Sequence, residues 1–280
     1  MVMNSLLPEK NGIRPDLIRK KLGSSIFGRN IIFHKTLPST NSLAKDLAGS
    51  GSPEGTIVLA EKQTAGRGRL GRQWLSPRHA NLLFSLLLRP SIEGNEVFRL
   101  TMIFALAIIE GVEDSCGLRP MIKWPNDIYV GSKKLGGILT EFKIRRGKVE
   151  YVILGLGLNV NWKPEDDDSF LYPATSLLDE TGDKISREEL LALIIKRFEF
   201  FLGELLLGKV DELNKKWNER SMLLGKQVEM GTSDGIIRGK ASRVDKNGAL
   251  IILNDHGREQ KVVCGDVSLA KTKILWGKEG

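Results

Sequence analysis

The sequence predicts an α+β protein in which a large mixed domain is followed by a small β-module. Between residues 31 and 220, short apolar runs typical of strands are interspersed with longer segments of helical spacing. From Gly225 the pattern changes to short alternating strands with glycine turns, which indicates a separate β-barrel of about fifty residues. We therefore expect two domains, 1–224 and 225–280.

The first half of the large domain is predicted to contain three strands and three helices. The strands are expected at residues 31–38, 56–64 and 81–90, and the helices at 15–22, 39–51 and 97–115. Thr40 or Asn41 could cap the second helix, because a side-chain oxygen there accepts hydrogen bonds from unpaired backbone N–H groups. Pro90 ends the third strand, since proline cannot donate to a strand ladder.

The second half is predicted to contain neighbouring strands followed by two helices. Residues 121–130 and 135–162 indicate three or four strands, and Arg146-Gly147 is a favourable hairpin turn. Amphipathic helices are expected at 187–207 and 210–220. In the C-terminal module, turns are expected at Asp234-Gly235, Asn247-Gly248 and His256-Gly257.

Composition narrows the class of protein. The 280 residues carry 42 Lys and Arg against 34 Asp and Glu, a formal net charge of +8, which favours an acidic partner such as a nucleotide phosphate, a nucleic acid or an acidic protein. Cys116 and Cys264 are far apart and in no metal-type spacing, which excludes a disulfide scaffold and fits a reducing, cytoplasmic location. The most apolar stretch, 190–207, is interrupted by charges and is unsuited to crossing a membrane.

Residues 66–74, GRGRLGRQW, form a glycine- and arginine-rich segment between two strands, here called the arginine loop. Its glycines allow close approach to a ligand, and Arg67, Arg69 and Arg72 supply forked donors suited to phosphate oxygens. The loop satisfies the dinucleotide fingerprint G-x-G-x-x-G, but that fingerprint opens a helix, whereas an apolar strand follows here. A single copy also differs from the repeated arginine–glycine tracts that bind RNA. We expect a loop that handles phosphate and folds over an anionic ligand.

Two further segments carry charged or polar groups, each with a purely structural alternative. Residues 123–127, KWPND, are either a hairpin turn or a place where Asn126 and Asp127 bond a ligand or a magnesium-bound phosphate. Lys133 and Lys134 are either solvated hairpin residues or the source of an ammonium in a closed pocket, where it would neutralise charge on a carboxylate or phosphate oxygen.

Neutral polar groups form a third set. Residues 155–161, GLGLNVN, are either a β-bulge or a strand that a ligand approaches closely, with Asn159 able to bond a sugar or base edge. Donors and acceptors suited to a urea or amide head group come from Ser39, Thr40, Asn41 and Gln63. Helix capping is the alternative role for the first three of these, and the two roles are compatible. The sequence shows no Ser–His–Asp set and no Walker-type loop.

Together these segments resemble the biotin–protein ligases. The matching pieces are STN at 39–41, AEKQTAGRGRLGRQWLSP at 60–77, KWPNDIYV at 123–130, KKLGGILTE at 133–141 and GLGLNVNW at 155–162. The resemblance covers about residues 30–270, and the C-terminal module looks like the SH3-like domain of that family. It implies a fold related to class II aminoacyl-tRNA synthetases, with a mixed, mainly antiparallel sheet flanked by helices.

The resemblance also implies a two-step reaction with biotin and ATP as substrates and Mg²⁺ as the accompanying ion. The first step gives biotinyl-5′-AMP and pyrophosphate. In the second, a specific lysine of a biotin carboxyl carrier protein takes the biotinyl group and releases AMP. The alternatives are a lipoate–protein ligase of the same fold, which the pairing of the arginine loop with KWPND disfavours, and a nucleic-acid-binding regulator, suggested by the net charge and the small β-barrel.

Matching positions imply the site residues. The expected catalytic residues are Lys134, Arg67 and Arg69. Biotin is expected to contact Ser39, Thr40, Asn41, Gln63, Arg67, Gly68, Arg69, Lys134 and Gly137. ATP and the adenylate are expected to contact Trp74, Asn126, Asp127 and Asn159, with Asp127 as the metal-side residue for Mg²⁺ held through phosphates. Lys134 is chosen over Lys133 because it directly precedes Leu135-Gly136-Gly137.

Two expectations concern partners. A homodimer is expected, because the family often pairs through an edge strand. Some members carry an N-terminal winged helix-turn-helix, but only about thirty residues precede the first predicted strand here. We therefore expect a dedicated ligase without sequence-specific DNA binding and without a membrane partner.

Overall fold

A computed structural model describes residues 12–77, 79–163, 173–232, 235–254, 256–263 and 267–269. Its larger part is a seven-stranded mixed sheet flanked by helices. The strands are β1 (Ile31–His34), β2 (Ile57–Ala60), β3 (Leu82–Leu88), β4 (Met121–Lys123), β5 (Asp127–Val130), β6 (Lys133–Arg145) and β7 (Lys148–Leu158). The helices are α1 (Pro15–Leu22), α2 (Thr40–Gly49), α3 (Val97–Cys116), α4 (Leu177–Thr181), α5 (Arg187–Leu206) and α6 (Val210–Glu219).

The strands of this sheet lie in the order β1-β2-β3-β7-β6-β5-β4. Among the described strands of this sheet, only the β1–β2 pair is parallel, so the sheet is mixed and mainly antiparallel, as predicted. β3 is buried along its whole length and is apolar except for Ser85, as expected of a strand that is covered on both faces. The long helices α3 and α5 pack on one face, whereas α2 packs on the other against a smaller apolar cluster that includes Val58, Leu87 and Ile153. The candidate site lies on the α2 face.

Most predicted elements are confirmed. Helix α3, which has a long apolar stretch from residue 102 to 109, has nearly the predicted span and supplies much of the main core. The β6–β7 turn consists of Arg146 and Gly147, with φ angles of 53° and 80°. Positive φ at both central residues is the geometry that matches the twist of a two-residue hairpin. Helix α4, which begins after the capping side chain of Ser176, was not predicted because it is only five residues long.

The predicted capping of α2 by Thr40 or Asn41 is wrong. Both residues lie inside the helix, and the N-cap position belongs to Ser39, whose side chain makes no cap hydrogen bond. Instead, Gln63 Oε1 accepts the backbone N–H of Thr40 at 2.7 Å. A side chain just beyond the end of β2 therefore satisfies one of the four backbone N–H groups that have no partner inside a helix at its N-terminus.

The C-terminal part is a five-stranded antiparallel sheet of the SH3-like kind. Its strands are β8 (Gln227–Thr232), β9 (Gly235–Val244), β10 (Leu250–Leu253), β11 (Glu259–Val262) and β12 (Val267–Leu269), in the order β11-β10-β9-β8-β12. The predicted turns at Asn247-Gly248 and His256-Gly257 contain glycines with positive φ. Asp234 and Cys264 lie outside the described residues.

This sheet packs against the larger one. Trp124, which precedes β5, is buried and donates its indole N–H to the carbonyl oxygen of Gly248 at 2.9 Å. Side chains of β8, β9 and β10 belong to the same apolar core as α3 and α5. Among the described residues, no helix is both long and apolar enough to span a bilayer.

Candidate active site

A cavity of about 490 Å³ opens on the α2 face of the large sheet. This volume lies within the range of roughly 300–1,000 Å³ that is typical of small-molecule sites. Its walls include all thirteen site residues that the resemblance implied: Ser39, Thr40, Asn41, Gln63, Arg67, Gly68, Arg69, Trp74, Asn126, Asp127, Lys134, Gly137 and Asn159. Segments up to 120 residues apart in the chain therefore meet at one place.

The first turn of α2 supplies neutral polar groups to the cavity. Ser39, Thr40 and Asn41 are buried. Thr40 binds Gln63 Oε1 through both its backbone N–H and its hydroxyl group. Gln63 Nε2 makes no hydrogen bond to another described residue, so it remains a donor for a ligand. Ser39, whose side chain makes no cap hydrogen bond, also lines the cavity.

Asn41 has a fixed amide orientation. Its Nδ2 donates to the carbonyl oxygen of Leu139 and to Glu141 Oε2, each at 3.0 Å, while its Oδ1 lies 2.6 Å from Ser85 Oγ. Both N–H groups are therefore used within the protein, and the amide oxygen retains one lone pair. Asn41 can accept a hydrogen bond from a ligand but has no free donor to offer.

The arginine loop folds as a small hairpin above the cavity. The backbone of Gly68 bonds that of Arg72 at 2.8 Å, and Trp74 N–H bonds the carbonyl oxygen of Gly66 at 3.0 Å. At its tip, Leu70 has a φ of 54° and is 72% exposed. A residue with a side chain is strained at such a φ, and strain of this kind is concentrated at functional sites.

Two arginines attach this loop to the sheet below it. Arg67 donates to Glu141 Oε1 at 2.8 Å and to Ser42 Oγ at 3.3 Å. Arg69 donates to Asn126 Oδ1 at 3.1 Å. Each guanidinium has five N–H donors, so both can bind further oxygens of an anionic ligand.

Lys134 points into the cavity, and Lys133 does not. Lys134 Nζ lies 2.7 Å from Asp127 Oδ1 and 5.8 Å from the centre of the Trp74 ring. Lys133 instead reaches Asp179 and Glu180 of α4 at 3.7 and 3.9 Å. The choice between the two lysines that the sequence left to resemblance is thus decided by geometry.

A β-bulge accounts for the direction of Lys134. Side chains alternate along a strand, so Lys134 and Gly137, three residues apart, belong on opposite faces of a regular β6. The register with β5 shifts between the pairs Ile128–Gly136 and Tyr129–Lys134, which leaves Leu135 as the extra residue. The bulge returns Lys134 to the face that carries Gly137, as bulges beside active sites commonly do.

Asn159 lies on the cavity wall and makes hydrogen bonds within the protein through both ends of its amide. Its Oδ1 accepts from Asn81 Nδ2 at 3.0 Å, and its Nδ2 donates to the carbonyl oxygen of Thr175 at 2.9 Å. Asn126 is similarly tied to β6 through the carbonyl oxygen of Ile138. These two amides shape the wall, whereas Trp74 Nε1 is buried without a hydrogen-bond partner among the described residues.

Two glycines of β7 give the cavity its depth. A Cβ on Gly155 would overlap Asn41 Oδ1, and one on Gly157 would lie 2.5 Å from the Trp74 ring. The sequence predicted that a ligand approaches the strand GLGLNVN closely. In the structure, the side chains of Asn41 and Trp74 make this close approach to the strand. They form the floor on which a ligand would rest.

Several wall and supporting residues were missed from the sequence. Ser85 orients the α2 groups, Glu141 pairs with Arg67, and Trp162 lines the cavity. Ser85 was detectable as the one hydroxyl in the apolar run LLFSLLL. Glu141 stands at the end of the segment KKLGGILTE, but nothing in its spacing indicated a partner 74 residues away.

The electrostatics of the cavity favour an anion. Among the described residues, its lining contains Arg67, Arg69, Arg72 and Lys134 against the single carboxylate of Asp127. Lys134 and Asp127 already form a pair, with side chains about one quarter exposed. Such a site can hold two negatively charged groups close together and stabilise charge that develops between them.

A mixed sheet with this cation-lined cavity, joined to an SH3-like sheet, defines a ligase of the kind that activates a carboxylate. Residues 33–159 match the Biotin/lipoate A/B protein ligase family, and residues 223–270 match the Biotin protein ligase C terminal domain. The chain belongs to the biotin–protein ligase family and is a ligase enzyme.

Relatives support this assignment along most of the chain. The Bifunctional ligase/repressor BirA of Bacillus subtilis is 36% identical over 253 residues, covering 90% of this chain and 78% of that protein. The Biotin--[acetyl-CoA-carboxylase] ligase of Paracoccus denitrificans is 32% identical and covers 79% and 93%. The structure of the Biotin protein ligase from Aquifex aeolicus in complex with biotin and ATP is similar with a TM-score of 0.74, 32% identity, and coverage of 87% and 100%.

Proposed function

We propose that this ligase joins biotin to ATP, giving biotinyl-5′-AMP and pyrophosphate, and then transfers the biotinyl group to a lysine of a biotin carboxyl carrier protein. The observation that carries the proposal is the meeting of Lys134, Arg67 and Arg69 with the neutral groups of α2 in one cavity. A carboxylate and a phosphate repel one another, so cations are needed to bring them within bonding distance.

In the first step, the biotin carboxylate oxygen attacks the α-phosphorus of ATP, and the bond to pyrophosphate breaks. The ammonium of Lys134 is a compact charge on the cavity wall, and it stabilises the charge that develops on the carboxylate and bridging oxygens. Asp127 holds Lys134 in place before the ligand arrives. Arg67 and Arg69 add two further positive charges to the same cavity. We therefore assign the catalytic roles to Lys134, Arg67 and Arg69.

The neutral groups recognise the head of biotin. Ureido N–H groups need acceptors and the ureido oxygen needs donors. Asn41 Oδ1 is oriented as an acceptor, and Gln63 Nε2 is a donor without a partner among the described residues. Ser39 and Thr40 complete this side of the pocket, and Gly68 and Gly137 allow close approach.

The nucleotide is assigned to the other polar residues. Trp74 offers an aromatic face, and Asn126 and Asn159 line the same cavity. Mg²⁺ is bound by few protein carboxylates when phosphates supply most of its oxygens, and Asp127 is the one carboxylate among the described lining residues. A single protein carboxylate therefore fits a Mg²⁺ ion that is bound mainly by the triphosphate. Asp127 is the residue that would hold this ion, and the ion would neutralise phosphate charge.

In the second step, the carrier lysine amine attacks the acyl carbon, the bond to phosphate breaks, and AMP leaves with its phosphate negative. The mixed anhydride hydrolyses if water enters, so the arginine loop must cover it until the lysine arrives. The hydrogen bonds of Arg67 to Glu141 and of Arg69 to Asn126 support this covering role, because they attach the loop to the residues below it.

The decisive experiment is transfer of labelled biotin to a biotin carrier domain, in the presence of MgATP, with labelled lipoate and a lipoyl domain as the matched comparison. We expect label on the carrier lysine from biotin only. Transfer of lipoate in place of biotin would contradict the proposal. Release of one AMP and one pyrophosphate per label separates this reaction from simple binding.

We also propose that the protein pairs as a homodimer through β6. Beyond Gly137, this strand has no partner on its β5 side among the described strands, and Phe142 and Ile144 are 46% and 51% exposed. Open strand edges with apolar side chains favour pairing with another chain. Sedimentation should show a dimer that Phe142→Glu converts to a monomer; a wild-type monomer at high concentration would contradict it.

The absence of sequence-specific DNA binding and a cytoplasmic location stay predictions. A gel-shift series with and without biotin checks the first, because repressor relatives such as BirA of Bacillus subtilis are named for both activities. We expect no shift at moderate salt, where binding through net charge alone is screened.

A further inference from the structure

Glu141 lies beside the cavity, and the proposed reaction assigns it no role. It follows Gly137 and Leu139 on the same face of β6, because side chains alternate along the strand. Its side chain is 18% exposed, so its carboxylate is largely withdrawn from water. A buried carboxylate needs partners for both oxygens, and here those partners come from two different parts of the site.

Each carboxylate oxygen has its own set of partners. Oε2 accepts from Asn41 Nδ2 at 3.0 Å. Oε1 accepts from Arg67 at 2.8 Å and from Lys45 Nζ at 3.1 Å. One carboxylate thus connects the arginine loop with α2, the helix that supplies the groups proposed to bind biotin.

The contact with Asn41 decides which way that amide faces. An ionised carboxylate only accepts hydrogen bonds, and the neighbouring carbonyl oxygen of Leu139 is also an acceptor. The NH₂ group of Asn41 must turn toward both of them. The amide oxygen is then directed to Ser85 and Gly155, where a ligand N–H can reach its remaining lone pair.

The contact with Arg67 decides where the loop rests. Arg67 bridges from the loop to Glu141 and to Ser42 in the first turn of α2. Bonds between ionised partners are about twice as strong as neutral ones. Burial by itself raises the pKa of Glu141, but the hydrogen bonds from Asn41, Lys45 and Arg67 more than offset this, and the pKa is lowered. The carboxylate is therefore ionised at neutral pH. Its hydrogen bonds with Arg67 and Asn41 weaken only when the pH falls through this lowered pKa.

We propose that Glu141 is a positioning residue that couples biotin recognition to loop closure: one oxygen orients Asn41 and the other anchors Arg67 over the cavity. The inference rests on the proposed function, since it assigns Asn41 to biotin and the loop to retention of the adenylate. Glu141 touches neither substrate. It acts through the two residues that it holds.

The test is the Glu141→Gln variant, which keeps the shape and removes the charge. The matched control is Lys45→Met, which removes another partner of the same carboxylate without touching the loop. For Glu141→Gln we expect biotin affinity to fall and the release of biotinyl-5′-AMP to accelerate, each by roughly ten-fold or more. The rate of adenylate formation at saturating biotin and ATP should change much less. Lys45→Met should stay close to wild type in all three.

A double-variant cycle separates coupling from a purely structural role. If Glu141 anchors Arg67, the release rates of Glu141→Gln, Arg67→Ala and the double variant should be similar, because the second change removes a bond already lost. Additive effects would overturn the inference. So would a Glu141→Gln enzyme with wild-type biotin affinity and release, or one indistinguishable from Lys45→Met.

Folding and function are checked within the same experiment. Should Glu141→Gln fail to fold, Glu141→Asp keeps the charge but is one methylene shorter, so it should lose reach to one of its two partners and show the same direction of change. Wild-type enzyme is assayed first for biotinyl-5′-AMP. If it forms none, the proposed function fails and the inference with it; if it forms the adenylate and the variants release it normally, the inference alone fails.

Discussion

At the scale of single residues, Lys134 shows how much chemistry depends on one ammonium. Its nitrogen lies 2.7 Å from Asp127 and faces the cavity, whereas Lys133 faces α4. Lys134→Ala should lower the rate of adenylate formation by about 10²–10³-fold, the effect of removing one preorganised charge from a reaction centre. Single-turnover release of pyrophosphate measures this rate.

Lys133→Ala is the control for that change. Its side chain is 49% exposed and its carboxylate contacts are long, so activity should stay within about two-fold of wild type, as expected of an exposed ion pair. Equal loss in both variants would show that the geometry does not distinguish the two lysines. Unchanged turnover in Lys134→Ala would remove it from the mechanism.

Arg67 carries a second prediction at this scale. Arg67→Gly removes the bonds to Glu141 and Ser42, so the loop should open more often and release biotinyl-5′-AMP roughly ten-fold faster or more. Free adenylate acylates exposed lysines, and non-specific labelling of a bystander protein measures the leak. Tight retention of the intermediate with normal biotin affinity would contradict a covering role for the loop.

At the scale of secondary-structure elements, the site depends on how closely β7 approaches α2. Gly155→Ala would place a methyl group where Asn41 Oδ1 now lies, so the amide must move and biotin binding should weaken by at least ten-fold. Calorimetry with biotin measures the affinity. Gly231→Ala, also in a strand but with no atom within 4 Å of the added carbon, should bind normally.

The elements themselves were largely predictable, and their faces were not. The apolar run of α3 and the Arg146-Gly147 turn are local signals, and both appear as predicted. The bulge at Leu135 and the distant capping of α2 by Gln63 are set by pairing with other strands. A one-residue shift reverses every side chain of a strand, so a small error in register changes which residues enter the cavity.

At the scale of the whole molecule, a buried ion pair connects the sheet to α5. Glu61 and Arg187 are 1% and 5% exposed and form two hydrogen bonds of 2.7 and 3.1 Å. Arg187 also donates to the carbonyl oxygen of Asn81, whose side chain holds Asn159 on the cavity wall. The Glu61–Arg187 pair therefore helps to hold Asn159 in position on the cavity wall through Asn81.

Arg187→Met should lower the free energy of unfolding by about 3–5 kcal/mol, because it leaves the Glu61 carboxylate buried without its cation. Urea unfolding with linear extrapolation measures the change. The double variant Arg187→Met with Glu61→Gln should recover most of the loss, since no unpaired charge remains. A double variant that loses the sum of both single effects would contradict this account.

The predicted division at residues 224 and 225 stays a prediction, and the shared core gives it a testable form. Trp124 bonds Gly248 across it, and the second sheet contributes to the main apolar cluster. We expect one cooperative unfolding transition for the full chain, reported together by tryptophan fluorescence and far-ultraviolet circular dichroism. Two separated transitions would show independently stable domains.

The sequence by itself determined the order of strands and helices, the arginine loop and the set of thirteen site residues that the fold brings to one cavity. The order of the elements follows from local periodicity, and the thirteen site residues follow from the resemblance of their motifs to those of the biotin–protein ligases. The tertiary structure alone decided that Lys134 faces the cavity and that Asn159 accepts a hydrogen bond from Asn81. It also decided that Glu141 bonds both Arg67 and Asn41. Such contacts depend on register and on pairs far apart in the chain, and the free energy of burying a polar group is set by the partner that it finds there.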